Sequence, residues 1–181
     1  MKQMVRIIGG QYKGKKLHFP DLPGLRPTPS RVRETLFNWL MHDIRGALCL
    51  DAFAGSGALG FEAFSRGALS VTLLEKDPHA FMALYQQATS FHSPKLTLKK
   101  IDASIFLKET NDAFDIVFLD PPFAKNYLPD CLEILAHYPV LKHQGLVYLE
   151  SDYELNLDEA LWQLIKLKKA GLVFYSLYQK I

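Results

Sequence analysis

The sequence predicts an α/β fold, in which a mostly parallel β-sheet carries helices on both faces. From residue 47 onward, short apolar runs alternate with segments whose apolar residues recur at helical spacing. This alternation is typical of strand–helix–strand units, which build parallel sheets covered on both sides. Two further strand-like runs, joined tightly at Lys169–Gly171, close the chain. This closing hairpin predicts a last strand that runs antiparallel to the others.

The elements can be placed in chain order. We expect strands near 47–52, 70–75, 95–101, 114–119 and 144–150, helices near 58–66, 78–91, 103–109, 128–137 and 157–162, and final strands near 164–168 and 172–179. Ahead of them, residues 5–8 and 15–19 resemble two short strands joined by glycine turns. A proline-rich loop follows, after which Thr28 is expected to cap a helix whose first residue is Pro29.

Composition narrows the class of protein. The chain has 181 residues, 49% of them apolar and 22% charged, which suits one domain with an ordinary core. Two cysteines are too few for a disulfide framework, and the six histidines show no metal-binding spacing, so we expect no metal site. The sequence has no apolar run long enough to span a membrane and no signal-peptide pattern at its start. We therefore expect a cytoplasmic protein that does not enter a membrane.

The charges are distributed unevenly. Residues 1–47 carry a net charge of +6 and the remainder carries −4, although the whole chain has a net charge of only +2. A basic segment on a mildly acidic domain is typical of a protein with a polyanionic partner, although a merely solvated basic arm is an equal alternative. We expect residues 1–27 to form a basic extension, a hairpin and a loop, on a domain that spans residues 28–181.

A glycine-rich turn follows the first strand of the predicted parallel sheet. The strand ends at Asp51, and Gly55, Gly57 and Gly60 lead into the next helix, with Glu75 20 residues after Gly55. This pattern is typical of nucleotide-binding strand–helix–strand units, where glycine lets a ligand lie against the backbone. The sequence therefore predicts a nucleotide-type cofactor. The alternative is a glycine turn that serves packing alone.

Acidic residues end the next two strands, where ligands of open α/β sheets bind. The carboxylate of Glu75 is placed to accept hydrogen bonds from both hydroxyls of a ribose, unless it is only an exposed strand-end acid. Asp102 can accept a hydrogen bond from an adenine amino group, but aspartate is also a good helix cap. Both roles are compatible at Asp102.

The fourth strand of this sheet ends in Asp120, Pro121, Pro122 and Phe123. The two prolines fix the backbone and donate no hydrogen bonds, so the carbonyls of Asp120 and Pro121 remain free to accept. A carboxylate, a free carbonyl and an aromatic ring together suit a planar ring that carries an exocyclic amine. The alternative is a plain turn.

These motifs resemble a known class of enzyme. Asp51-x-Phe53-x-Gly55-x-Gly57, with Glu75 and the Asp120–Phe123 segment, is similar to class I S-adenosylmethionine-dependent methyltransferases that modify exocyclic amines of bases. Three N-terminal segments, Arg6–Gly10, Gly14–Leu17 and Leu25–Leu40, resemble the RsmD family of bacterial 16S rRNA (guanine-N2)-methyltransferases. The resemblance extends from about Arg6 to Tyr178, nearly the whole chain.

The family resemblance carries its own expectations. It implies a Rossmann-like class I methyltransferase fold, in which a seven-stranded, mostly parallel sheet ends in an antiparallel strand, with a small N-terminal β-hairpin extension. It also implies S-adenosylmethionine as cofactor and 16S rRNA as partner. We expect the substrate to be an assembled or assembling 30S particle and the enzyme to be a monomer. The cofactor-binding residues would be Asp51, Phe53, Gly55, Gly57, Glu75, Lys76, Asp102 and Ala103. The chain departs from the family at Gln87-Ala88, where an Asn-Leu pair is expected. We expect this position to affect packing only.

The expected reaction needs alignment more than a strong base, because the sulfonium methyl is already activated. Hydrogen bonds from the amine to Asp120 and the Pro121 carbonyl would accept its developing positive charge. The catalytic residues would then be Asp120, Pro121, Pro122 and Phe123. The RNA-binding residues would be Lys13, Lys15, Lys16, Arg26, Arg31, Arg33 and Lys125. Arg31 and Arg33 have an alternative role as partners of Glu34 at the helix terminus.

Three rival functions remain open from the sequence. A nicotinamide-dependent dehydrogenase shares the glycine pattern, although the Asp120–Phe123 segment and the closing hairpin argue against it. An N6-adenine methyltransferase acting on DNA or RNA would also bind an exocyclic amine. A noncatalytic ribosome-assembly factor with a vestigial pocket is the alternative from outside the enzymes.

Overall fold

The computed structural model describes residues 2–122 and 127–181, except for the side chain of Lys2. The strands are β1 (Lys2–Arg6), β2 (Lys16–Pro20), β3 (Leu48–Asp51), β4 (Ser70–Leu74), β5 (Leu96–Lys99), β6 (Phe114–Leu119), β7 (Leu141–Ser151), β8 (Trp162–Ala170) and β9 (Val173–Lys180). The helices are α1 (Ser30–Trp39), α2 (Ala58–Ser65), α3 (Pro78–Thr89), α4 (Ala103–Glu109) and α5 (Leu128–His137).

Strands β3 to β9 form one seven-stranded sheet in the order β5-β4-β3-β6-β7-β9-β8. Neighbouring strands from β5 to β7 are parallel, whereas β9 pairs antiparallel with β7 on one side and β8 on the other. The predicted α/β fold with an antiparallel last strand is therefore confirmed. Because β3, β4 and β6 are parallel, the residues that follow them lie together at the carboxyl ends of these strands.

The apolar core lies on both faces of the sheet, in two clusters of buried side chains. Strands β1 and β2 form a separate antiparallel hairpin, yet their inward residues Val5 and Leu17 belong to the same cluster as residues of α1 and α2. The hairpin also bonds to the main body, since the Ile8 N–H donates to Oε2 of Glu62 at 2.9 Å. The basic extension is thus packed into the molecule through a shared core.

The structure differs from the predicted elements at residues 157–162. A short helix was expected there, but the segment forms a turn in which the N–H groups of Leu161 and Trp162 donate to the Asp158 carbonyl. The Asp158 carboxylate accepts from the Ala160 N–H at 2.9 Å and stabilises this turn locally. Strand β8 begins at Trp162 directly after this turn, so residues 157–161 form no helix.

No helix within residues 2–122 and 127–181 has the length and apolar character needed to cross a membrane.

Candidate active site

The turn between β3 and α2 is fixed by carboxylates from two neighbouring strands. Oδ2 of Asp51, at the end of β3, accepts a hydrogen bond from the Gly60 N–H at 2.9 Å. Oε2 of Glu75, which follows β4, accepts from the Gly55 N–H at 3.0 Å, and its Oε1 accepts from the Asp77 N–H at 2.7 Å. Each carboxylate oxygen has a second lone pair, so Glu75 keeps acceptor capacity toward a ligand.

Two glycines of this turn are required by their surroundings. Gly57 has a φ of +78° and lies at the start of α2, where a Cβ atom would overlap the ring of Phe61. A Cβ at Gly60 would lie 2.8 Å from Leu73 and 3.1 Å from the Asp51 carboxylate. Any other residue at these positions would have to displace a neighbouring side chain, Phe61 or Leu84 at Gly57 and Leu73 at Gly60. Close packing of α2 against β3 and β4 therefore accounts for Gly60, whereas Gly57 is required by its positive φ and by Phe61 and Leu84.

The pKa of Asp51 reflects the burial and the charges around the turn. Burial raises the pKa of this carboxyl to about 7, opposed by the hydrogen bond from Gly60 and assisted by the negative charges of Asp120 and Glu75. Acidic groups from the ends of β3, β4 and β6 therefore lie close enough to interact. The predicted cofactor side and the predicted acceptor side meet at one edge of the sheet.

A second polar cluster lies beside the turn. The ammonium of Lys76 pairs with Oδ2 of Asp102 at 3.0 Å and donates to the hydroxyl of Tyr127. Burial would raise the pKa of Asp102, but the hydrogen bonds from Lys76 and Ser104 outweigh it and hold that pKa below its ordinary value. Because Oδ1 of Asp102 accepts from the Ser104 N–H, Asp102 also caps α4.

Aromatic rings border this cluster. The ring centroids of Phe53 and Tyr127 lie 5.3 Å apart, so the two rings pack together at the carboxyl ends of β3 and β4. Ala103, the first residue of α4, is buried beneath the cluster. Tyr127 was not predicted as a site residue. It lies seven residues beyond Asp120 in sequence, and only the fold brings it to Phe53.

Asp120, the predicted hydrogen-bond acceptor for an exocyclic amine, follows the end of β6. Oδ2 of Asp120 accepts a hydrogen bond from the Thr28 hydroxyl at 3.1 Å, and burial raises the pKa of Asp120 above its ordinary value. Pro121 is buried, whereas Pro122 is exposed. Phe123 and Lys125 lie outside the described residues. The prediction that Thr28 caps α1 is wrong, since its hydroxyl bonds to Asp120 and Pro29 occupies the cap position without a side-chain bond.

Glu150 is a carboxyl group that the sequence reasoning missed. It is 6% exposed near the end of β7, next to β6 in the sheet, and its Oε1 accepts from the hydroxyl of the buried Tyr148 at 2.8 Å. Burial and the negative charge of Asp120 raise the pKa of Glu150 above its ordinary value. An acid at the end of the fifth strand of this sheet was a signal of the same kind as Glu75, and it could have been read in the same way.

Arg33 requires a correction. Its side chain has no exposed surface, so the predicted contact with an RNA phosphate is wrong. Its Nη1 pairs with Oε2 of Glu62 at 3.3 Å and donates to the Arg6 carbonyl at 2.9 Å, while Nε donates to the Thr28 carbonyl at 3.1 Å. Its predicted alternative partner was Glu34, but the structure pairs it with Glu62 on α2. Arg33 therefore joins the hairpin, α1 and α2.

The remaining predicted cations lie mostly on the surface. Lys13, Lys16, Arg26 and Arg31 are exposed. Lys15 is half-buried, because its ammonium lies 4.1 Å from the centroid of the Phe91 ring and donates to the Ser90 carbonyl at 3.2 Å. Lys15 thus fastens the hairpin loop to the end of α3 and is less available to a phosphate than its neighbours.

Within residues 2–122 and 127–181, no group of three or more His, Cys, Asp or Glu side chains is arranged to hold a metal ion.

The sequence of this chain is similar to those of several known proteins. A family model described as "Conserved hypothetical protein 95" matches residues 5–179. The chain is 45% identical over 178 residues to "Ribosomal RNA small subunit methyltransferase D" of Escherichia coli strain K12. That alignment covers 97% of this chain and 90% of the Escherichia coli protein. The chain is 43% identical over 183 residues to the protein of the same name from Haemophilus influenzae, which covers 98% and 95%.

The fold has a close counterpart among solved structures. A structure described as "Putative methyltransferase yhhF from Escherichia coli" superposes with a TM-score of 0.91 at 44% sequence identity. The superposition covers 98% of each chain, so the hairpin, the sheet and the glycine turn all have counterparts in that protein.

Proposed function

We propose, since the chain belongs to the RsmD family of ribosomal RNA small subunit methyltransferases, that it transfers a methyl group from S-adenosylmethionine to the exocyclic N2 amine of a guanine in 16S rRNA. The supporting observation is that the glycine turn and Asp120 follow the adjacent strands β3 and β6 at one edge of the sheet. A donor on the turn and an amine at Asp120 would therefore be neighbours.

The residues around the turn fit the proposed cofactor. Glu75, whose carboxylate is fixed by two backbone N–H groups, has lone pairs left for the ribose hydroxyls. The methionine end would lie along the glycine turn near Asp51. Asp102, Ala103, Phe53 and Lys76 would surround the adenine and ribose, with Oδ2 of Asp102 shared between Lys76 and the adenine amino group. When bound, this cofactor supplies an activated methyl group.

The protein's part in the transfer is to orient and to stabilise. Asp120 would accept hydrogen bonds from the target amine, together with the Pro121 carbonyl, and so counter the positive charge that develops on nitrogen. In-line alignment supplies much of the remaining barrier reduction, on the order of 7–11 kcal/mol in favourable cases. The amine proton leaves after the transfer, when the nitrogen is far more acidic. Phe123 is proposed to stack on the guanine ring.

The substrate RNA would be held outside this pocket. A paired guanine hides N2 in the minor groove, so the target base must be splayed out or flipped toward Asp120. Lys13, Lys16, Arg26 and Arg31, with Lys125, are proposed to hold the flanking phosphates. We infer that a monomer of this chain acts in the cytoplasm on an assembled or assembling 30S particle.

The direct test is to incubate the protein with labelled S-adenosylmethionine and unmethylated 30S subunits, digest the RNA and identify the modified nucleoside. We expect label in N2-methylguanine at one position of 16S rRNA. Label in N6-methyladenine would instead favour the adenine alternative. No incorporation into 30S subunits or naked 16S rRNA would contradict the proposal and favour a noncatalytic role in assembly.

The role of Asp120 is tested by the Asp120→Ala variant. Turnover should fall on the order of 10²- to 10³-fold, because a group that stabilises the developing charge is lost. The affinity for S-adenosylmethionine, measured by calorimetry, should hardly change. Asp112→Asn, at an exposed acid, is the matched control. Equal losses of turnover and cofactor affinity in Asp120→Ala would contradict the assignment of Asp120 to the substrate amine.

A further inference from the structure

The carboxylate of Asp120 is held by a residue from the other end of the chain. Thr28 is 5% exposed, and its hydroxyl donates to Oδ2 of Asp120 at 3.1 Å across 92 residues of sequence. The Thr28 hydroxyl also lies within reach of the Glu150 carboxyl, but it has one proton to donate, and the bond observed in this geometry goes to Asp120. One carboxylate oxygen of Asp120 is thereby engaged, and among the described residues no hydrogen-bond partner is found for Oδ1, which can accept from a ligand.

The backbone of Thr28 is itself held in place. Its carbonyl accepts from Nε of Arg33 at 3.1 Å, and Arg33 is buried and paired with Glu62. The guanidinium also donates to the Arg6 carbonyl in β1 and to the Ser30 hydroxyl in α1. Because a guanidinium is planar and carries its donors in fixed directions, it restricts the positions that Thr28 can take. Thr28 is therefore anchored on the side away from Asp120.

Within residues 2–122 and 127–181, the other groups that interact with Asp120 are acidic or neutral. Asp51 at the end of β3 and Glu150 on β7 are carboxyls, and the phenols of Tyr148 on β7 and Tyr175 on β9 lie beside Glu150. The Thr28 hydroxyl favours the charged form of Asp120, whereas burial disfavours it. The single Thr28 bond therefore influences both the orientation of Asp120 and its ionisation.

We propose that Thr28 is a positioning residue for methyl transfer: its hydroxyl fixes Oδ2 of Asp120 so that Oδ1 is presented, ionised, to the target amine. The role in transfer rests on the proposed function above. It also makes the segment before α1 part of the active site, because that segment supplies the donor. The hairpin and loop then serve the chemistry as well as the contact with RNA.

The test compares Thr28→Val, which keeps the shape and removes the donor, with Thr28→Ser, which keeps the donor. The first readout is a carbon-13 NMR titration of the Asp120 carboxyl, assigned by its loss in Asp120→Asn. In Thr28→Val the titration midpoint should rise by about one pH unit, because a bond to the charged form is lost. In Thr28→Ser it should stay close to that of the wild type.

The second readout is turnover on 30S subunits. Thr28→Val should lower kcat by about 10- to 100-fold, with the acidic limb of its pH profile moved upward and the KM for the cofactor unchanged. Thr28→Ser should recover most of kcat. Thr35→Val is the matched control, since the Thr35 hydroxyl donates to the Arg31 carbonyl within α1. If Thr28→Val does not fold, Thr28→Ala replaces it.

The results separate this proposal from the proposed function. Equal behaviour of the valine and serine variants, or an unmoved midpoint of Asp120 in Thr28→Val, would overturn the role of Thr28. If the wild type transfers no methyl group, the proposed function fails, whereas the NMR titration still decides whether Thr28 sets the state of Asp120.

Discussion

Glu150 is a single residue whose burial should be measurable as a dependence of stability on pH. Its pKa in the folded protein is raised above the ordinary 4.5, because burial and the charge of Asp120 disfavour its ionised form. The folded state then holds a proton that the unfolded state releases. The contribution of Glu150 to the free energy of unfolding is complete below pH 4.5 and is lost as the pH rises toward its raised pKa, by up to about 1.4 kcal/mol per pH unit.

The Glu150→Gln variant removes this titration and keeps an oxygen that can accept from the Tyr148 hydroxyl. Urea unfolding between pH 5 and 8 should show a shallower loss of stability than in the wild type. Glu154→Gln, at an exposed glutamate, should keep the wild-type slope. Identical slopes for Glu150→Gln and the wild type would show that Glu150 is ionised in the folded protein across this range.

At the scale of elements, Arg33 connects the hairpin, α1 and α2 through one buried guanidinium. Replacing it with methionine would leave Glu62 in the interior with Arg66 and the Ile8 N–H as its remaining partners among the described residues. Loss of one partner of a buried ion pair typically costs 3–5 kcal/mol. Because Arg66 still pairs with Glu62, we expect the free energy of unfolding of Arg33→Met to fall by about 3 kcal/mol, the lower end of that range, measured by urea denaturation.

The controls for Arg33→Met come from the same elements. Arg31→Met, at an exposed position two residues away, should change the free energy of unfolding by less than about 0.5 kcal/mol. The double variant Arg33→Met with Glu62→Met should recover part of the loss, since neither fully buried charge remains and Arg66 is partly exposed. A loss in Arg33→Met no larger than that in Arg31→Met would contradict the structural role of the ion pair.

The sequence was informative wherever a rule is local. Alternating apolar patterns predicted the sheet, and the tight turn at Lys169–Gly171 predicted the antiparallel β9. Thr28 met every local requirement of a helix cap, but a carboxylate 92 residues away takes its hydroxyl. Arg33 lies in a charged segment of an amphipathic helix, and only the packing of the hairpin and α2 buries it. These contacts are set by tertiary structure, which spacing along the chain does not encode.

For the whole molecule, the uneven charge makes a prediction about binding. The chain carries +6 in residues 1–47 and −4 elsewhere, and Lys13, Lys16 and Arg31 of the basic segment are exposed. If these cations hold phosphates, the affinity for 16S rRNA should fall steeply with salt, because each phosphate contact releases counterions. The affinity for S-adenosylmethionine, whose proposed site is at the carboxyl ends of β3 and β4, should change little over the same range of salt.

The triple variant Lys13→Gln, Lys16→Gln, Arg31→Gln tests the location of this charge. Each lost phosphate contact should reduce the slope of log K against log salt by roughly 0.7–0.9, so the triple variant should reduce its magnitude by about 2 to 3. Its control is Lys166→Gln with Lys168→Gln, two exposed lysines on the edge strand β8. If the control lowers the slope as much as the triple variant does, the RNA binds along the edge strand β8. The basic segment would then serve packing and the positioning of Thr28, and it would not contact phosphate.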